Sequence, residues 1–126
     1  MSEQSPWPVV ALPDVIVDMQ PGFARRPNPD DSGVPQLRTN NISNAGDIDL
    51  TDVQYVDASS SEVEKYGVRQ GDIIFNNTNS PELVGRAAHF EDSPVFVLSN
   101  HMTRLRVSAD LIDAGFLARY LHYLWF

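Results

Sequence analysis

Tyr66-Gly67-Val68-Arg69-Gln70-Gly71-Asp72-Ile73-Ile74-Phe75-Asn76-Asn77-Thr78-Asn79-Ser80 is the stretch on which the fold turns. Gly67 follows a helix-like segment, where glycine supplies the left-handed residue that ends a helix. Gly71-Asp72 is tight-turn chemistry. Ile73-Ile74-Phe75 is an apolar run too short for a helix, bounded by turn formers, and reads as a buried strand. Polar side chains follow at once, so this strand ends in a loop rich in hydrogen-bonding groups. Short helix, tight turn, buried strand, polar loop is the local grammar of a sheet protein with helices at its edges.

The flanks repeat that grammar. Upstream, residues 59–66 read as a short helix, since Ser59 or Ser61 can cap it with Glu62 or Glu64 three positions on. Val53-Gln54-Tyr55-Val56 alternates like a strand, and Val34-Pro35-Gln36-Leu37-Arg38 is another candidate. Residues 40–47 are turn chemistry. Residues 20–34 hold Pro21, Gly22, Pro27, Pro29, Asp30, Asp31 and Gly33 together with Arg25 and Arg26. They read as a surface loop, long enough to expect a function. Residues 7–19 read as a strand entering a short helix, with Pro13 at an early helical position and Asp14 in the first turn. Downstream, strands are expected over 83–90, 95–98 and 102–107. Asp113 can cap a final helix whose Phe116, Leu117, Tyr120, Leu121, Leu124 and Trp125 recur at helical spacing. The order predicts an α+β fold: a twisted, mostly antiparallel sheet or partial barrel, with short helices and a C-terminal helix. At 126 residues and 14.1 kDa, one domain over 1–126 is expected.

Composition excludes several classes of chemistry. Cysteine is absent, which removes disulfides, thiolate metal sites and cysteine nucleophiles. No run of about 18 apolar residues occurs, and the first residues carry no basic segment. A soluble cytoplasmic domain is therefore expected, without membrane contact. The three histidines, His89, His101 and His122, form no HExxH or other ligand spacing. No P-loop, no glycine-rich dinucleotide fingerprint and no Gly-x-Ser-x-Gly elbow is present. No catalytic residue, metal site or cofactor is expected. The formal net charge is −8, and it is unevenly spread. Residues 47–72 hold seven carboxylates against Lys65 and Arg69, whereas in residues 84–126 four arginines meet four acids. Eight of the nine cations are arginine, the side chain whose planar fork suits a guanine edge or a phosphate.

What the sequence does offer is a set of polar side chains at strand ends. Arg38, Asn40 and Asn41 follow one strand. Asn76, Asn77, Thr78 and Asn79 follow the second, and Ser99, Asn100 and His101 the third. Arg104 and Arg106 alternate with Leu105 and Val107, so they share one strand face. Asparagine pairs with an adenine edge, arginine with guanine, and serine and threonine with either. The apolar end of the last helix expects cover, from a continuation of the natural chain, from a partner or from a second copy of the chain.

An ordered set of pieces then becomes familiar. Gly33-Val34-Pro35-Gln36-Leu37-Arg38-Thr39-Asn40-Asn41-Ile42 precedes Gly46-Asp47-Ile48, the central stretch from Tyr66, Leu83-Val84-Gly85-Arg86 and Ser99-Asn100-His101-Met102-Thr103-Arg104-Leu105-Arg106. From about Trp7 onward this resembles the target recognition domain of type I restriction–modification specificity subunits. The resemblance implies a non-catalytic module that reads half of a bipartite double-stranded DNA site. It implies partners: methyltransferase (modification) subunits and a motor-nuclease subunit of the same system. It also implies a second recognition domain and long spacer helices that this sequence lacks, so the chain looks truncated. The DNA-binding residues it suggests are Arg38, Asn40, Asn76, Asn77, Thr78, Asn79, Arg86 and Arg104. On this reading Arg104→Ala weakens DNA binding with little loss of stability.

Two alternatives stand beside it. Gly71-Asp72 also resembles the turn that leads into a strand of PDZ peptide-binding domains, although no glycine-aromatic carboxylate-binding loop occurs in the first forty residues. The other is an inactive specificity fragment that only competes for assembly.

Overall fold

A computed structural model describes residues 9, 11–78, 80–92 and 95–125, the side chain of residue 125 excepted. The elements run α1 (Leu12–Val15), β1 (Ile16–Pro21), β2 (Val34–Leu37), a 3-10 turn (Thr39–Asn41), β3 (Gln54–Val56), α2 (Ser60–Tyr66), β4 (Gly67–Val68), β5 (Ile73–Asn76), β6 (Ala87–His89), β7 (Phe96–Leu98), β8 (Met102–Val107) and α3 (Ala114–Trp125). They form two four-stranded sheets, β1-β8-β5-β6 and β3-β2-β7-β4. The first sheet is antiparallel throughout. The second is antiparallel except where β2 lies parallel to β7. The α+β, mostly antiparallel expectation holds.

Strand alternation sorts the core into layers. On β5, Ile74 joins Leu37, Ile42, Val68, Phe96, Leu98 and Met102 in a buried cluster fed by both sheets. Its neighbour Ile73 points the other way, into a second cluster with Leu105, Leu117 and Ala118. The sequence of layers is therefore second sheet, first sheet, α3. Both faces are covered over β5 and β6, while at the β1 edge Val17 and Met19 stay exposed.

Several local expectations hold. Ser59 caps α2 by accepting a hydrogen bond from the Glu62 backbone N–H, while the Glu62 carboxylate accepts from the Ser59 N–H. Asp113 Oδ1 accepts from the Phe116 N–H at 2.8 Å and starts α3. Gly71 takes φ +99° in the turn before β5.

Others are corrected. Gly67 is not left-handed: its φ of −70° and ψ of 145° are extended, and it opens β4 against Val97. Glycine is needed there because a Cβ would run into the Val63 carbonyl oxygen. The N-terminal order is helix then strand over the described residues, with β1 reaching Pro21; Trp7 lies outside them. The strand expected over 83–90 is confined to Ala87–His89, because Leu83 to Gly85 form a turn closed by Gly85 at φ +85°.

The long loop after β1 is tied down at several points. Arg25 clamps the Glu62 carboxylate with two hydrogen bonds, at 2.7 and 2.8 Å, and reaches the Asp57 carbonyl at 2.9 Å. Phe23 stacks on Tyr66 with centroids 4.6 Å apart. The Arg25 hydrogen bonds, then the Ser59 N–H, hold the Glu62 pKa down at about 2.

α3 presents two different faces. Leu117, Ala118 and His122 are buried against the first sheet. His122 accepts from the Ala87 N–H at Nδ1 (3.2 Å), and its Nε2 donates to the Asn44 carbonyl oxygen at 2.8 Å, the role left to it once Nδ1 accepts. Phe116, Tyr120, Tyr123 and Leu124 are exposed on the other face.

Candidate nucleic-acid interface

Strand direction brings the polar loops together. In a parallel pair the two C-terminal ends lie on the same edge, so the segments after β2 and β7 emerge side by side. β5 pairs antiparallel with β8, placing Asn76 opposite Met102, and β8 starts just after the β7 turn. The third loop is thereby drawn to the same edge. Two hydrogen bonds confirm the junction: the Asn77 N–H donates to the His101 carbonyl at 2.9 Å, and Asn76 Nδ2 donates to the Thr39 carbonyl at 3.0 Å.

A cleft of about 710 Å³ opens at this edge. The loop after β1 forms one wall, with Arg25 and Arg26. The loops after β2 and β7 form another, with Arg38, Asn40, Asn100 and His101, and Gln36 and Gln54 lie between. No carboxylate of the described residues lines it, although the chain carries seventeen. Of the three arginines that line it, Arg25 is paired with Glu62, which leaves Arg26 and Arg38 to draw an anion toward the cleft in a molecule of net charge −8. Arg26 makes no hydrogen bond or ion pair with any described residue, so its charge is available to a ligand. Arg38 meets Asp52 at 3.2 Å, but that carboxylate is 73% exposed, which makes the pair weak in water.

The sequence-predicted residues divide into three groups. Arg38 and Asn40 line the cleft, and Asn77 is exposed beside it through its bond to His101. Thr78 is half-buried, and its hydroxyl accepts weakly from the Ser80 N–H at 3.4 Å. Arg86, also half-buried, donates to the Ile42 carbonyl at 3.0 Å and stands off the cleft. Asn79 lies outside the described residues.

Asn76 and Arg104 face inward, which corrects their expected presentation to solvent. Asn76 is fully buried and donates to the carbonyls of Thr39 and Leu83, stitching two loops to the end of β5. It sits two residues after Ile74 and so shares its inward face. Arg104 is 4% exposed. It donates to the carbonyls of Gly67 (2.6 Å) and Lys65 (3.1 Å), at the end of α2, and pairs with Asp18 at 2.6 Å. Arg106 follows on the same face and pairs with the buried Asp72 at 2.9 Å. Arg104 locks the end of α2 to the first sheet, and Arg106 ties the turn before β5 to β8.

Asn41 is likewise structural. Its Oδ1 accepts from the Arg38 N–H at 2.8 Å, and its Nδ2 donates to the carbonyls of Asp49 and Asp52. It shapes the turn that presents Arg38 and Asn40.

Over 113 residues the chain is 33% identical to a protein assigned as the type I restriction enzyme MjaX specificity subunit of Methanocaldococcus jannaschii, a span that covers 88% of this chain and 26% of the relative. A 72-residue span, 56% of the chain and 15% of the relative, is 31% identical to the type I restriction enzyme EcoKI specificity subunit of Escherichia coli K12. This chain is related to the type I specificity subunits. It spans about a quarter of the length of the first of these relatives. No family model matches the chain. In fold, it superposes with TM-score 0.66 on a chain from a structural study of complex assembly and conformational transition of the type I R-M system, at 19% identity, over 91% of this chain and 27% of the other. The PDZ-like alternative gains no support from these relatives.

Set beside the type I specificity subunits, the cleft adds residues that the sequence alone did not single out as contacts. Gln36 and Gln54 were hidden inside strands. Arg26 was visible as part of a basic pair in a long loop, and Asn100 and His101 as part of a polar turn. Only the parallel β2–β7 pairing shows that these belong to one surface.

Proposed function

We propose that this chain is a DNA-recognition module of a type I restriction–modification system, reading one half of a bipartite double-stranded site and performing no chemistry itself. The observation that carries this reading is the convergence of the loops after β1, β2 and β7, with two available arginines, on one cleft that no described carboxylate lines, the loop after β5 standing beside it. Relatedness to type I specificity subunits supplies the context. Residues 1–126 act as one recognition unit in the cytoplasm. Arg26 contacts phosphates, Arg38 contacts phosphates or guanine edges, and Asn40, Asn77 and Asn100 reach base edges, with Thr78 and Arg86 at the periphery. Asn76 and Arg104 hold the scaffold and touch no DNA.

The modification subunits and the motor-nuclease subunit complete the assembly. The apolar outer face of α3, on the side of the first sheet away from the second, suits protein contact rather than phosphate contact. It is the surface for those subunits or for self-association. The test is a gel-shift titration of the chain assembled with its modification subunits against duplexes of randomised sequence. Binding to one sequence class, weakening linearly in log salt, supports the reading. Failure to enrich any sequence refutes it.

A further inference from the structure

Gln36 has an unusual position for a polar side chain. It is 3% exposed, yet its Nε2 has no hydrogen-bond partner among the described residues. Two residues on and on the same face of β2, Arg38 carries a buried Nε that is also without a partner. Both residues line the cleft. Buried donors are satisfied in folded proteins as a rule, and an orphan in a cleft asks for an acceptor brought from outside. The backbone beneath them is rigid, because β2 is the central strand between β3 and β7. Gln54 sits directly opposite Gln36 on β3 and lines the same cleft.

We infer that Gln36, supported by Gln54 across the strand pair, is the specificity-determining side chain that reads an adenine of the recognised half-site. This rests on the DNA-recognition reading above. An amide offers one donor and one acceptor side by side, which matches the N7 acceptor and N6 donor of adenine. A phosphate would use the donor alone, and Arg26 and Arg38 already supply cationic donors for phosphate in the same cleft. The floor of the cleft thus discriminates, while its arginine walls attract.

The test selects randomised duplexes with the chain assembled with its modification subunits, comparing wild type, Gln36→Glu, Gln36→Met and Arg26→Ala. Glutamate only accepts, so Gln36→Glu moves one position of the selected motif from adenine to cytosine. Gln36→Met loses preference at that position and binds the original site roughly ten- to a hundredfold more weakly. Arg26→Ala weakens all sequences alike. If Gln36→Met fails to fold by circular dichroism, Gln54→Met at the half-buried partner carries the same expectation. Folded Gln36 variants that select the wild-type motif unchanged overturn the inference and leave the DNA-recognition reading standing. A wild-type complex that selects no motif overturns that reading itself.

Discussion

Replacing Arg104 with alanine separates a structural arginine from a DNA-contacting one. The side chain is 5% exposed and makes three hydrogen bonds, to Gly67, Lys65 and Asp18. Each of the two bonds to carbonyl oxygens is charge-assisted, a type that contributes about 1.5–3 kcal/mol. The bond to Asp18 counts for less, because that carboxylate is 42% exposed and rehydrates when its partner leaves. The unpartnered Nε subtracts from the total. The expected net loss is roughly 2–4 kcal/mol, a large share of the ~5–15 kcal/mol that holds a domain folded. With a urea m-value of about 2 kcal/mol/M, the unfolding midpoint falls by about 1–2 M. Arg104→Lys recovers only part of this, since one ammonium cannot reproduce the planar fork. Asp18→Ala costs under about 1 kcal/mol. The assay is equilibrium urea unfolding followed by circular dichroism. A midpoint for Arg104→Ala within about 0.2 M of wild type, with DNA binding weakened, would show that the guanidinium faces the duplex and would refute the packing argument.

Three other perturbations report on different parts of the molecule. Asn76→Ala removes the donors to Thr39 and Leu83 and should destabilise by about 1–2 kcal/mol in the same assay, because each carbonyl keeps only a long backbone bond, from Ile42 and Arg86 at 3.4 Å. The Arg25–Glu62 clamp depends on pH. The carboxyl pKa is lowered from 4.5 to about 2, so its contribution is present above pH 4.5 and is lost as pH falls toward 2. Limited proteolysis with an acid-active protease should find the loop after β1 opened in that window, and Glu62→Gln should open it at neutral pH. Arg26→Ala should leave the urea midpoint unchanged and reduce the salt slope of DNA binding by about one.

Much of the fold was legible because short apolar runs were separated by strong turn and cap signals. Ser59 with Glu62, Asp113 before α3, and Gly71 before β5 all acted locally, and local chemistry survives into the folded state. Gly67 misled because its role is tertiary: it passes close to the Val63 carbonyl in an extended conformation, and a lone glycine after a helix cannot distinguish close approach from a left-handed cap. β6 was overlong in the sequence reading because Leu83-Val84 looks like a strand until Gly85 turns the chain.

The site was legible as loops but not as a surface. Asn76 and Arg104 were misdirected because polar residues at strand ends read as outward. The second sheet covers the face of the first sheet that Asn76 and Arg104 share, so alternation along β5 and β8 turns them into the core rather than to solvent. Ile74 two residues before Asn76, and Met102 two before Arg104, carried the signal: each polar residue shares a face with a core residue. Gln36 and Gln54 were illegible for the opposite reason. Nothing in a strand sequence says that two glutamines will meet across it, because register is decided by pairing.

Amide hydrogen exchange on the assembled complex, with and without the selected duplex, distinguishes a duplex bound at the loop edge from one bound elsewhere. Adding the duplex should protect residues 38–41, 77–78 and 99–101 together, and should leave exchange on the outer face of α3 unchanged. Protection confined to α3, or to only one of the three loops, would contradict binding at the loop edge.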